Sequence, residues 1–291
     1  MTAQVATLTR PQVGPAGLVE LTGLAESFPL RPHRLRHALV DHPLLTRAAL
    51  AEAAMRMDPT LVECRRADNR NGEEFAFADR LDGGAAAVIR EIETAGRWVM
   101  LRFAEQLPEY AALMREVLDA LDPVTRPVLG EVLTPHVFIF VSGPGTLTPF
   151  HFDPEFNVLF QVAGEKVFAA YEPRAPWLSP QASEKYHATG DNMLEWREEF
   201  AEQGQHERLL PGDALFVPYR SPHWVTVGDE ASISISITWR SASSYAQDDA
   251  FRLNRWLRGF GLSPPTPPAQ PASPRLRALA WHALKRLGVN G

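Results

Sequence analysis

Three side chains carry the chemistry this sequence offers. In Thr148-Pro-Phe-His-Phe-Asp153, His151 and Asp153 stand one residue apart. On a strand, positions i and i+2 point to the same face, so the imidazole and the carboxylate converge on one point. A third group is available downstream, in Gly212-Asp-Ala-Leu-Phe-Val-Pro-Tyr-Arg-Ser-Pro-His223. Two imidazoles and one carboxylate on one side of a metal ion leave three adjacent positions open, the arrangement that non-haem Fe(II) oxygenases use. Taken singly, either histidine is better explained as a hydrogen-bonded structural residue. The pairing of a His-x-Asp at a turn-to-strand junction with a histidine after a second turn is what points to metal ligation.

Those residues need strands to hold them, and from residue 131 onward the pattern supplies them. Val137–Val141, Phe156–Val162, Lys166–Tyr171, Ala214–Val217, Trp224–Val227 and Ser232–Trp239 read as strands separated by turn residues. The last run alternates Ile and Ser, so one of its faces is apolar and the other polar. Many short strands with no helix between them predict an antiparallel double-stranded β-helix, a jelly-roll or cupin barrel, over residues 131–240. Residues 172–206 interrupt the strands, with a helix predicted around Met193 to Glu202, and read as an insertion over the barrel mouth.

The flanks are mixed. Residues 1–130 read as an α/β segment packed on the barrel. Its helices are predicted from Thr46 as N-cap, over 85–94 and from Pro108 to the Asp122-Pro123 break, and its strands near Leu61–Arg65 and Trp98–Phe103. Residues 1–40 read as an extended lead-in, and the Arg31–His37 cluster as a solvated face. A helix is expected within 241–263, then a stiff Pro-rich linker over 264–274 and a basic amphipathic helix over 275–291. The two C-terminal helical segments are expected to pack in a homodimer. The fold class is therefore mainly β with helical additions.

Composition excludes several alternatives. The formal net charge of −6 argues against a nucleic-acid-binding surface, and Cys64 is the only cysteine, so no intrachain disulfide or Cys-rich zinc module can form. No apolar run reaches the ~20 residues of a membrane span, and the first ten residues show no signal-peptide pattern. The cytoplasm is the expected location.

The motif Thr148-Pro-x-His151-x-Asp153-x-x-x-Asn157-x-x-x-Gln161-x-x-Gly164-x-Lys166, with Gly212-Asp213-x-Leu215-Phe216-x-Pro218 and His223, resembles the JmjC/cupin-8 oxygenases. It is nearest in style to factor-inhibiting-HIF-type asparaginyl hydroxylases and bacterial cupin-like relatives. The resemblance implies a barrel that binds Fe(II) through His151, Asp153 and His223 and takes 2-oxoglutarate as co-substrate. By the same resemblance Lys166 pairs with the distal carboxylate of 2-oxoglutarate, Thr148 hydrogen-bonds it, Asn157 lines its pocket and Trp239 stands at the pocket side. The physics agrees for Lys166, since an inward lysine in a barrel needs an anionic partner. One departure is visible: where the asparaginyl hydroxylase has an asparagine two residues before the tryptophan, this chain has Ile237.

The implied activity is hydroxylation of an unactivated C–H with O2, releasing succinate and CO2. A protein or peptide side chain is the first expected substrate, and a free amino acid or small molecule the second. A cupin-type regulatory protein that binds metal or a small ligand without oxidising it is the competing reading, because fold does not decide function. Glu155, two residues beyond Asp153, would suit a four-ligand cupin site. His136, His187 and His206 are weaker ligand candidates, each without a partner at strand spacing.

Overall fold

The computed structural model of the chain describes residues 17–78 and 83–289. The first elements are β1 (Val19–Glu20), α1 (Leu24–Ser27), β2 (His33–His37), α2 (Arg47–Arg56), β3 (Val62–Arg66), α3 (Gly84–Arg90), β4 (Arg97–Arg102) and α4 (Pro108–Leu129). Four strands follow without a helix: β5 (Leu133–Ser142), β6 (Leu147–Phe152), β7 (Phe156–Ala163) and β8 (Lys166–Ala170). After α5 (Pro180–Thr189) come β9 (Gln205–Leu209), β10 (Asp213–Val217), β11 (Pro222–Val227) and β12 (Ser232–Arg240), then α6 (Ala242–Arg258) and α7 (Arg275–Arg286).

Every pairing is antiparallel. The main sheet runs β1-β2-β10-β7-β12-β5-β4-β3, and the smaller one β6-β11-β8-β9. This is the expected jelly roll, extended at both edges. β2, β3 and β4, from the first 130 residues, hydrogen-bond directly into the main sheet instead of only packing over it. The Arg31–His37 cluster is consumed by this pairing: Arg34 and Arg36 form ion pairs with Glu207 and Asp213, and His37 is buried with Nε2 at 2.9 Å from the Gln161 carbonyl.

Alternation along the strands of the main sheet divides its two faces. Val137, Ile139, Val141, Phe156, Val158, Phe160, Ile233, Ile235 and Ile237 point to the side covered by α2, α3 and α4 and form the principal core there. The opposite residues face the smaller sheet. Leu159, Leu215 and Val217 meet Phe168, Ala170, Leu209 and Val225 there, closing one end of the barrel with a second apolar cluster. β12 is therefore buried along its whole length, with isoleucines on one side and hydroxyls on the other.

Two local expectations are corrected. α4 does not stop at Asp122-Pro123; it continues through Pro123 and Pro127 to Leu129. Proline costs a helix one hydrogen bond and a clash, but the buried stripe Val117, Leu121, Thr125 and Leu129 continues past the break. Packing that face outweighs the local penalty. Within the insertion, the helix lies at Pro180–Thr189 rather than near Met193 to Glu202, with Ser179 capping it and Pro180 in its first turn. Leu194 and Phe200 instead dock with Phe150, Phe152 and Tyr171 on the outer face of the smaller sheet.

Candidate metal centre

β6 and β11 are neighbours in the smaller sheet, and their register sets His223 opposite His151, next to an irregularity between His223 and Val225. Such a bulge re-aims side chains at the rim of a barrel. The two imidazole rings lie 4.2 Å apart between centroids. Asp153 follows β6 in the turn to β7, and its Oδ2 lies 3.9 Å from His151 Nε2 and 3.6 Å from His223 Nε2. One ligand atom from each of the three residues falls within 4.8 Å of the others, the only such group among the described residues.

The tautomers are set by the backbone. His151 Nδ1 is 2.6 Å from the Pro149 carbonyl and His223 Nδ1 is 3.0 Å from the Ser221 carbonyl. A carbonyl can only accept, so each Nδ1 carries the proton and each Nε2 presents a lone pair inward. Burial, with His151 alongside, pushes His223 down to about 4 and keeps it neutral. The carboxylate is held as well: Asn192 Nδ2 donates to Asp153 Oδ1 at 3.4 Å, and the Arg220 backbone N–H donates to the Asp153 carbonyl at 3.1 Å. Neither residue belongs to the motif. Asn192 lies in the insertion, where residues 192–194 run beside β6 through Phe152 N–H to Asn192 O, Leu194 N–H to Phe150 O and a His151–Met193 bridge. Only its pairing partner reveals its role, and no local sequence signal does.

The triad opens into a cavity of about 550 Å³ lined by both sheets. At one side of it Lys166 is 4% exposed and donates to Ser234 Oγ at 2.7 Å. Among the described residues no carboxylate pairs with it, and burial pulls its pKa down to about 7. Thr148 and Asn157 line the same cavity, where Asn157 Oδ1 and the cross-strand Thr238 Oγ1 are buried without hydrogen-bond partners. Phe140, Leu159 and Phe168 supply apolar wall, and Phe75 stands edge-on to His151 at 5.3 Å.

Trp239 is not brought to this cavity. It sits on the isoleucine face of β12, 1% exposed and stacked on Phe156 at 5.9 Å. Ile237 shares that face, so it leaves the pocket wall unchanged; Ser234, Ser236 and Thr238 form that wall instead. Glu155 lines the cavity and is pushed up to about 8 by burial and by Asp153, but stands outside the triad. His136 pairs with Glu105 at 2.7 Å near the outer cavity, His187 stacks on Phe251 in α5–α6, and His206 meets Trp224 on β9. None of the three joins the triad.

A jelly roll carrying two imidazoles and a carboxylate inside its mouth defines the cupin class of metal-site proteins. The chain belongs to the Cupin-like domain family, whose model matches residues 30–245. Lysine-specific demethylase 8 of Danio rerio is 37% identical over 106 residues, covering 33% of this chain and 26% of that protein. Its Xenopus tropicalis counterpart is 32% identical over 105 residues, covering 33% of this chain and 24% of that protein. The matched stretch is thus about a quarter of each of these relatives. Among solved structures, ycfD of E. coli superposes with a TM-score of 0.53 at 19% identity, over 91% of this chain and 66% of that one, a likeness of fold.

Proposed function

We propose that the protein is an Fe(II)- and 2-oxoglutarate-dependent oxygenase that hydroxylates an unactivated C–H, with a protein or peptide side chain as first substrate class. The observation that carries this reading is Lys166: a buried lysine with no carboxylate partner among the described residues, in the same cavity as the triad. A protein that only holds a metal has no need of such a lysine, whereas a dicarboxylic co-substrate supplies the missing anion.

The residues fit the groups they are asked to hold. His151, His223 and Asp153 would take ferrous iron with bare Nε2 atoms and an oriented carboxylate. Lys166 and Thr148 would bind the distal carboxylate of 2-oxoglutarate in the pocket that Asn157 lines, and the unpartnered Thr238 hydroxyl would donate to the same ligand. Bound iron supplies activation of O2, with 2-oxoglutarate as the reductant that leaves as succinate and CO2. The protein's share is orientation by the triad and Lys166, and exclusion of water by Phe75, Phe140, Leu159 and Phe168.

A protein substrate is supported by the relatives named as lysine-specific demethylases. The proposed division of labour assigns the chemistry to residues 131–240, substrate contact to 172–206 and support to 1–130. A cytoplasmic location belongs to the same reading; among the described residues no helix is long and apolar enough to cross a membrane. So does a homodimer through the C-terminal helices, where Leu276, Leu279 and Leu287 of the α7 region are exposed. A monomeric mass by light scattering at micromolar concentration would remove the dimer.

Anaerobic titration of the Fe(II)-loaded protein with 2-oxoglutarate tests the core of the proposal. A metal-to-ligand charge-transfer band is expected, weakened in Lys166→Ala and lost in His151→Ala. Tight iron binding with no band would favour the metal-binding regulatory reading.

A further inference from the structure

Two of the three triad residues depend on a single turn. Pro218–Ser221 joins β10 to β11 and is closed by Ser221 N–H to the Pro218 carbonyl at 3.1 Å. From it the Ser221 carbonyl fixes the His223 ring, and the Arg220 N–H fixes the Asp153 carbonyl. Arg220 adopts φ +62°, the left-handed region that side-chain-bearing residues rarely occupy. A strained residue of this kind persists only where its surroundings hold it.

Those surroundings are the outer helices. The Arg220 guanidinium is buried, donates to Ser183 Oγ of α5 and lies 4.2 Å over the Phe251 ring of α6. Among the described residues no carboxylate forms an ion pair with it, and its Nε has no partner. The preceding Tyr219 donates its hydroxyl to Asp248 Oδ1 of α6 at 2.7 Å, and Asp248 also pairs with Arg240 at the end of β12. A buried cation held by one hydroxyl and the faces of Phe251 and Tyr219 is poor value for stability alone, yet it anchors the turn from outside the barrel.

We propose that Arg220 is a positioning residue for the metal centre, its side chain locked between α5 and α6 so that the turn holds Asp153 through the Arg220 N–H, and His223 through the adjoining Ser221 carbonyl, at ligating distance. This inference rests on the metal reading of the triad. It also ties the insertion to the centre, because α5 carries both Ser183, which grips Arg220, and Tyr186, which lines the cavity.

The test is Co(II) titration of the full chain, followed by the visible absorption of the bound ion and paired with thermal unfolding. Arg220→Met and Arg220→Gly are both expected to weaken Co(II) binding by about 10–100-fold and to alter the absorption band. The glycine variant matters because it suits φ +62° and lacks only the anchor. Ser183→Ala should weaken binding several-fold. Glu184→Gln is the control: it breaks the Glu184–Arg258 pair between α5 and α6 without touching the turn, so it should lower Tm and leave Co(II) affinity and spectrum unchanged. Unaltered affinity and spectrum in the folded Arg220 variants would overturn the proposal, as would a Glu184→Gln loss equal to theirs. If neither Arg220 variant folds, Ser183→Ala decides by the same criterion. Failure of the unmutated chain to take up Co(II) would sink the metal reading and this one together, whereas normal uptake with indifferent variants would sink this one alone.

Discussion

Raising the pH should release 2-oxoglutarate from this protein. Lys166 is buried against Ser234 and Phe140, and burial lowers its pKa from 10.5 to about 7. A dicarboxylate bound beside it stabilises the ammonium and restores a high pKa, so binding draws in a proton whenever the free protein has lost it. The co-substrate is fully ionised throughout this range, so the dependence belongs to the lysine. Binding is strongest below pH 7. Half the lysine is charged at pH 7 and about one per cent at pH 9, which predicts an affinity loss of about fiftyfold between the two. Calorimetry with Mn(II) in the metal site, in buffers of different ionisation enthalpy, reads both quantities; at pH 8 close to one proton should be taken up. Lys166→Arg, whose guanidinium stays charged, should bind with no such slope. Equal affinity at pH 7 and 9, with no dependence on buffer, would refute the argument.

Four further outcomes follow from the geometry. Lys166→Met should lose 2-oxoglutarate binding yet raise Tm without ligand by roughly 3–8 °C at pH 7. The folded pKa lies below the unfolded one, so protonation disfavours the fold and wild-type stability is lowest below pH 7, recovering as pH climbs toward 10.5; calorimetric scans across that range would show the variant's advantage shrink. Asn192→Ala should cost about tenfold in metal affinity by freeing the Asp153 carboxylate, measurable by competition with a chelator. Asp153→Ala should abolish metal binding in the same assay while leaving far-UV circular dichroism intact. Trp239→Ala should destabilise the fold by about 3–5 kcal/mol in urea unfolding, and the fraction that remains folded should bind 2-oxoglutarate with unchanged affinity.

What could be read in advance followed physical range. The Ile/Ser alternation in 232–239 depends on nearest neighbours, and it marks both the strand and its two faces; which face meets the cavity depends on what lies beyond each, and so Trp239 lies on the core face instead of the expected pocket side. His151 and Asp153 share a strand face and were legible as a pair. Asn192 and Arg220 act through backbone pairings made by segments distant in sequence, and neither carries a local mark. α5 carries two local signals, Ser179 as cap and Pro180 in the first turn, whereas Leu194 and Phe200 are anchors for an irregular segment and not one face of a helix. Pro123 is a true local breaker, and only the buried stripe of α4 explains why the helix ignores it.

The pairing of β2 with β10 has a consequence for handling the protein. β10 reaches the interior of the main sheet only because five residues near the start of the chain lie alongside it, fastened by Arg34–Glu207 and Arg36–Asp213. A chain shortened to begin at residue 40 would keep the whole metal motif and lose that cover. The bared row of β10 N–H and C=O groups would then be a template for pairing with other molecules. Such a fragment should be soluble only while dilute, and it would be lost to aggregation before its chemistry could be judged.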